Sequence, residues 1–267
     1  MHENPLGKSL DHPQDYAPGA LFPIARSASR DALPVNGPLA FHGEDLWNAW
    51  ELGWLDPSGK PMIATAVIRI PAQSENLLES KSLKLYLNSL ANTRYSSDRE
   101  VATLIASDLT TAAGCTVTVK ISAATSGDID QLPGTCIDDS LFEAAANDGE
   151  IPALQSDAGS IASEELHSHL LRSNCPVTGQ PDTGSILIRY EGPKIDRSRL
   201  LQYIVSYRNY NAFHEDCVER IFVDIRNQCA TKKLTVYARY NRRGGLDINP
   251  FRSDYEQAPQ NLRLWRQ

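Results

Sequence analysis

Cys175 and Asp182, seven positions apart, are the first pair in this chain whose types and spacing could do chemistry. They lie in Ser173-Asn174-Cys175-Pro176-Val177-Thr178-Gly179-Gln180-Pro181-Asp182-Thr183-Gly184. The two prolines fix φ and the two glycines permit positive φ, so this is a shaped loop, neither a helix nor a central strand. A thiol and a carboxyl on one rigid loop suit a nucleophile and a proton donor. The opposing reading is a buried structural cysteine beside an aspartate that caps its own turn. Taken alone, these residues favour that second reading, because free cysteine is among the most buried residue types.

Three other stretches carry reactive or charged groups. Glu79-Ser80-Lys81-Ser82-Leu83-Lys84-Leu85-Tyr86 places a carboxylate, two hydroxyls and two ammoniums at a helix start, where backbone N–H groups attract phosphate. A solvated charged face is the alternative. Phe213-His214-Glu215-Asp216-Cys217 opens another helix. Its acids suit the macrodipole, yet Glu215 could accept the N–H edge of a base, Phe213 could stack on it and His214 could relay a proton. Tyr237 to Pro250 brings Arg242-Arg243 against Gly244-Gly245 at a strand end, where guanidinium groups can clamp phosphate and glycine lets the backbone approach.

The elements that must position these groups follow from periodicity. Residues 1–40, rich in Pro, Gly, Ser and Asp, read as an extended arm over the body. Phe41 to Trp54 reads as an aromatic packing cluster with a short helix after Gly43-Glu44-Asp45. Met62–Ile70 is strand-like and Pro71 ends it. Helix is expected from about Ser80 and over Asp98–Thr111, where Val101, Leu104, Ile105 and Leu109 form a stripe closed by Gly114. Thr116–Ile121 alternates as a strand. Ala123–Glu150 is loop-rich, and Ser163–Leu171 fits a strand or a short helix. Ser185–Tyr190 is a strand, Asp196–Tyr207 and His214–Cys229 are helices, and Lys233–Tyr240 is a strand. Strand–helix–helix–strand thus occurs twice, which predicts two similar α+β units, each an antiparallel sheet with helices on one face.

Composition excludes several classes. The chain has 267 residues, 41% hydrophobic and 22% charged, enough for one large domain or two ordinary ones. A formal charge of -7 argues against duplex nucleic acid as the main partner. No apolar run approaches the ~18 residues of a membrane span. The N-terminus lacks the basic and apolar regions of a signal peptide, so a cytoplasmic protein is expected. Five widely spaced cysteines predict no disulfide framework, and without C-x-x-C or H-E-x-x-H no metal site is expected.

Together the four motifs closely resemble the NADPH-dependent nitrile reductases of queuosine biosynthesis, the QueF family of 7-cyano-7-deazaguanine reductases. The likeness runs from Phe41-His42-Gly43 through Gly134-Thr135-Cys136-Ile137-Asp138-Asp139 to the Arg-rich end, and it is to the longer, two-unit form. The resemblance implies a tunnelling fold (T-fold) in two tandem units: an arm and aromatic cluster over 1–55, a first unit over 56–150 and a second over 151–267. It implies Cys175 as the thiolate that attacks the nitrile carbon to form a thioimide, Asp182 as general acid, and His214 as a further catalytic group. Glu79, Ser80, Lys81, Phe213, His214 and Glu215 would hold the deazaguanine; Lys81, Ser82, Arg243 and Gly244 would bind NADPH. The expected partners are a free nucleobase and a second copy of the chain, as a homodimer. Another T-fold enzyme acting on a purine or pterin ring, anchored by Glu215, and a non-catalytic nucleobase-binding module are the alternatives; neither needs the Glu79–Tyr86 motif beside a loop cysteine.

Overall fold

The computed structural model describes residues 13–35, 37–123, 127–142 and 151–267. The arm expected over 1–40 and the loop-rich stretch 123–150 fall partly outside these residues. Chain order begins with β1 (Pro23–Ala25), α1 (Ser27–Arg30), β2 (His42–Leu55), β3 (Pro61–Pro71) and β4 (Asn76–Leu78). Next come α2 (Ser80–Asn88), α3 (Asp98–Ala113), β5 (Thr118–Ala123) and β6 (Thr135–Cys136). The second half holds β7 (Ser156–Asn174), β8 (Pro181–Ile195), α4 (Arg197–Ser206), α5 (His214–Cys229), β9 (Lys233–Tyr240) and β10 (Leu246–Ser253). Eight strands form one sheet in the order β5-β3-β2-β10-β9-β8-β7-β6. Its pairings are antiparallel except β6 with β7.

The element order expected from the sequence holds in outline: β3, α2, α3 and β5 in the first half, β8, α4, α5 and β9 in the second. Each set is preceded by a long strand. Ser163–Leu171 belongs to one of them, β7. The other, β2, overturns the short helix expected after Gly43. Trp47, Trp50 and Trp54 recur at steps of three and four, as on a helix. Here they lie on a central strand between β3 and β10 whose residues Asp45 to Ala49 are buried without alternation. Gly43 is not a helix start. Its φ is +150°, and a Cβ there would come within 1.9 Å of the Phe251 carbonyl oxygen on β10.

Both helix pairs cover one face of the sheet. Leu83, Val101, Ile105 and Leu109 pack on β2, β3 and β5, while Leu200, Ile204, Val218 and Phe222 pack on β8 and β9. The opposite face, at Leu187, Tyr237 and Phe251, is covered by Leu262 and Leu264 of the C-terminal tail. No described helix is long and apolar enough to cross a membrane.

Where β2 meets β10, the halves are joined by buried charge. Arg252 contacts Asp45 Oδ1 and Glu219 Oε1, each at 2.8 Å. Arg26 reaches Asp45 at 2.5 Å, and Arg30 reaches Glu219 at 2.7 Å. The Arg252, Asp45 and Glu219 side chains are 0%, 1% and 2% exposed, so none is compensated by water. Burial alone would raise both carboxyls; Arg252, with Arg26 at Asp45 and Arg30 at Glu219, outweighs it and holds them below the usual carboxylate range. Removing Arg252 takes a charge-assisted hydrogen-bond partner from both buried carboxylates at once, leaving Asp45 with Arg26 and Glu219 with Arg30. Arg252→Met should therefore cost ~3–5 kcal/mol, measured by urea denaturation. A loss under ~1 kcal/mol, the scale of an exposed pair, would contradict this reading of the seam.

Candidate active site

A cavity of about 360 Å³ opens between α2 and the start of α5, over Leu246 and Ile248 of β10. It collects side chains from all four motifs. Ser80, Lys81 and Lys84 come from α2; Cys175, Gln180 and Asp182 from the β7–β8 hairpin; Phe213, His214 and Glu215 from the start of α5; and Arg243 and Gly244 from the β9–β10 turn. One chain suffices to bring them together.

The hairpin explains why Cys175 can sit here. Asn174 pairs with Pro181 and Ser173 with Asp182, so residues 175–180 form the connecting loop. Cys175 N–H donates to the Gln180 carbonyl at 2.8 Å, and Gly179 N–H, at φ +66°, donates to the Cys175 carbonyl at 2.9 Å. Asn174 exchanges backbone hydrogen bonds with Tyr210 and Ala212 just before α5. Loop and helix start are thus tied to each other. All five cysteines are free, and Cys175 is the one that lines the cavity. Burial raises the Cys115, Cys217 and Cys229 thiols, Cys229 to about 11 and Cys217 to about 12.

Asp182 stands between two partners. Its Oδ2 is 3.2 Å from His214 Nε2, and its Oδ1 accepts from Arg243, whose other nitrogen donates to Gln180 Oε1 at 2.8 Å. The His214 ring stacks flat on Tyr240, centroids 3.7 Å apart and planes 9° apart. The stack fixes the imidazole plane, and Nδ1 is buried with no hydrogen-bond partner. Glu215, only 2% exposed, lines the same cavity. Burial, followed by the Asp45 charge, pushes its carboxyl up to about 8, against a smaller lowering by Arg26.

Two expected site residues stand back from the cavity wall. Glu79 caps α2, accepting from Lys81 N at 3.0 Å and Ser82 N at 2.8 Å. These are the amides that an anion would have used; the cationic groups left at the cavity wall are the side chains of Lys81, Lys84 and Arg243. Ser82 is buried; its hydroxyl donates to the Glu79 carbonyl at 2.7 Å and accepts from Phe22 N at 3.0 Å. Lys84, Gln180 and Asn241 line the cavity without having been expected there as single residues, although each lies within or beside a quoted motif. Tyr240 carries no sequence signal, because its stack arises from packing β9 against α5.

The raised Glu215 carboxyl has a consequence for stability. The folded chain keeps a proton that the unfolded chain releases above about 4.5. This group's contribution to stability therefore falls as pH rises from about 4.5 to about 8 and is flat above. Glu215→Gln should lose that slope and become more stable than the parent at pH 8–9. The expected gain is a few kcal/mol, at ~1.4 kcal/mol for every tenfold change in proton affinity. Denaturation of both proteins across pH checks it; parallel curves would contradict a buried protonated Glu215.

Comparison with known proteins agrees with the motifs. Residues 12–121 match the family model described as "Nitrile reductase, 7-cyano-7-deazaguanine-reductase N-term", and residues 181–259 match one described as "QueF-like protein". A protein of Desulfotalea psychrophila named NADPH-dependent 7-cyano-7-deazaguanine reductase is 49% identical over 267 residues, covering 98% of this chain and 97% of its own. A protein of the same name from Chromobacterium violaceum is 52% identical over 270 residues, covering 99% of this chain and 96% of its own.

Proposed function

We infer the function from one premise: the chain belongs to the QueF family of 7-cyano-7-deazaguanine nitrile reductases. We propose that it reduces the nitrile of 7-cyano-7-deazaguanine to the aminomethyl group with NADPH, as a step toward queuosine in tRNA. The observation that carries this reading is the convergence of Cys175, Asp182, His214, Glu215 and three cationic side chains on one cavity.

A nitrile carbon is a weak electrophile. Addition of the Cys175 thiolate converts C≡N to C=N, a thioimide, once the nitrogen takes a proton; this splits a hard step into easier ones. Asp182 is the proton donor in this scheme, oriented by His214 and Arg243. Glu215, ionised on binding, accepts the N–H edge of the base, with Phe213 against the ring and Ser80 and Lys81 at the rim. Glu79 acts through the first turn of α2, which it caps.

The residues at the α2 side of the cavity fit a phosphate-bearing group. Lys81, Lys84 and Arg243 supply positive charge, and Gly244, at φ +63°, keeps open a space where a Cβ would lie 2.8 Å from Lys84 Nζ. When bound there, NADPH supplies hydride, two per nitrile. Lys81, Lys84, Arg243 and Gly244 would hold its phosphates, and Ser82 fixes the α2 turn that presents Lys81. The apolar floor of Leu246 and Ile248 helps exclude water from a hydrolysable C=N intermediate.

We also read the two halves, 56–150 and 151–267 with an arm over 1–55, as tandem tunnelling-fold units. The edge strands β5 and β6 leave backbone groups that favour association into a homodimer. Sedimentation equilibrium checks the dimer; a monomer at micromolar concentration contradicts it.

Two NADPH should be consumed per 7-cyano-7-deazaguanine, and intact mass should show a substrate adduct. Cys175→Ala should abolish both the adduct and turnover; an unchanged adduct or rate would overturn the nucleophile. Asp182→Asn should slow turnover ~10²–10⁴-fold, the range of general acid catalysis. Normal turnover in that variant would remove Asp182 from the proton-donor role.

A further inference from the structure

We propose that Cys136, His167 and His169 form a binding site for one Zn²⁺ ion, apart from the active-site cavity. The Cys136 sulfur and one ring nitrogen of each histidine lie within 4.8 Å of one another. None of the three lines the cavity. The short signatures that mark zinc in a sequence are missing because β6 and β7 assemble the donors across the fold. Cys136 of β6 pairs in parallel register with His167 of β7, and His169, at the β7 irregularity between Ser168 and Leu171, brings its ring to 5.3 Å from that of His167.

The donor chemistry suits zinc. One thiolate and two imidazoles match the borderline softness of Zn²⁺, and a three-ligand set leaves a fourth tetrahedral position for water. Donors around a tetrahedral zinc are about 3.4–3.6 Å apart, by the usual Zn–S and Zn–N lengths. Closing from 4.8 Å asks about 1 Å of movement. Cys136 is exposed on a strand of two residues, so its side chain can turn without disturbing a packed core.

The surroundings orient both rings. His167 Nδ1 is 2.9 Å from the Pro133 carbonyl, which can only accept. The Nδ1 proton is thereby fixed and Nε2 presents a lone pair, the arrangement found behind metal-bound histidines. His169 Nδ1 is 2.8 Å from the Ser185 hydroxyl, which accepts from Arg266 at 2.9 Å and has a second lone pair for the imidazole proton. That leaves Nε2 of His169 for the ion. Asp138 accepts from Ser168 Oγ and His169 N, so its carboxylate adds negative charge just outside the three donors and offsets Arg266. A bound ion would join β6 to the long strand β7 at the end of the sheet.

The test uses the full, tag-free chain, stripped with chelator and titrated with Zn²⁺ or Co²⁺. One equivalent should bind per chain, the Co²⁺ form should show a thiolate-to-metal charge-transfer band, and Zn²⁺ should raise the melting temperature. Cys136→Ser, at an exposed position, should keep the native circular dichroism, lose the band and weaken Zn²⁺ binding at least tenfold; His169→Ala should weaken it similarly. Cys175→Ala should leave the band and the affinity intact. Binding that survives Cys136→Ser with its band, binding lost in Cys175→Ala, or no stoichiometric uptake would each overturn the site.

Discussion

The buried ion cluster at the β2–β10 seam is the constraint on which the site depends. Asp45 belongs to the first half of the chain, Glu219 and Arg252 to the second, and Arg26 and Arg30 to the segment before β2. Their charges compensate one another only in this arrangement, since a buried charge without a partner costs several kcal/mol. Glu219 lies on α5 one turn after Glu215. Fixing Glu219 against β10 fixes the helix start that carries Phe213, His214 and Glu215. The same cluster sets the electrostatics of the cavity wall. Burial does most to raise the Glu215 carboxyl; the Asp45 charge adds to it, and Arg26 only partly offsets that charge.

The reactive loop is held by a second, local device. Backbone hydrogen bonds, from Asn174 N–H to the Tyr210 carbonyl and from Ala212 N–H to the Asn174 carbonyl, clip the β7–β8 hairpin to the entry of α5. Cys175 and Asp182 are therefore positioned against the helix that the seam positions. Tyr240 completes the arrangement by stacking under His214, whose Nε2 faces Asp182. Each contact is ordinary in strength. Their joint effect is to leave few rotational freedoms to the groups that, in the proposed reaction, meet a planar base and a linear nitrile, which is where positioned catalysis gains most.

Much of this is legible in the sequence for physical reasons. The stripes of Val101, Ile105 and Leu109 and of Val218, Ile221 and Phe222 mark helices packed on a core, and α3 and α5 lie there, α3 buried along one stripe and α5 over most of its surface from Ile221 to Ile225. The proline- and glycine-marked stretch around Cys175 is a hairpin connection. The strand β2 escapes its sequence pattern because it is buried on both faces, which erases the period of two, while its tryptophans happen to fall at helical steps. Glu79 suits a ligand group by its type, whereas its carboxylate caps the helix, a role its residue type does not signal. The Tyr240 stack and the Cys136–His167–His169 group depend on strand register, and no local pattern encodes that.

Proton release on binding 7-cyano-7-deazaguanine, measured by calorimetry at pH 7 in buffers of different ionisation enthalpy, tests the central claim most directly. That claim is that burial, reinforced by the Asp45 charge of the seam, keeps Glu215 protonated in the free chain and that base recognition ionises it. About one proton should be released per base bound, given a free carboxyl near 8, and none in Glu215→Gln. Binding with no proton release in the parent chain, or the same release in Glu215→Gln, would contradict it.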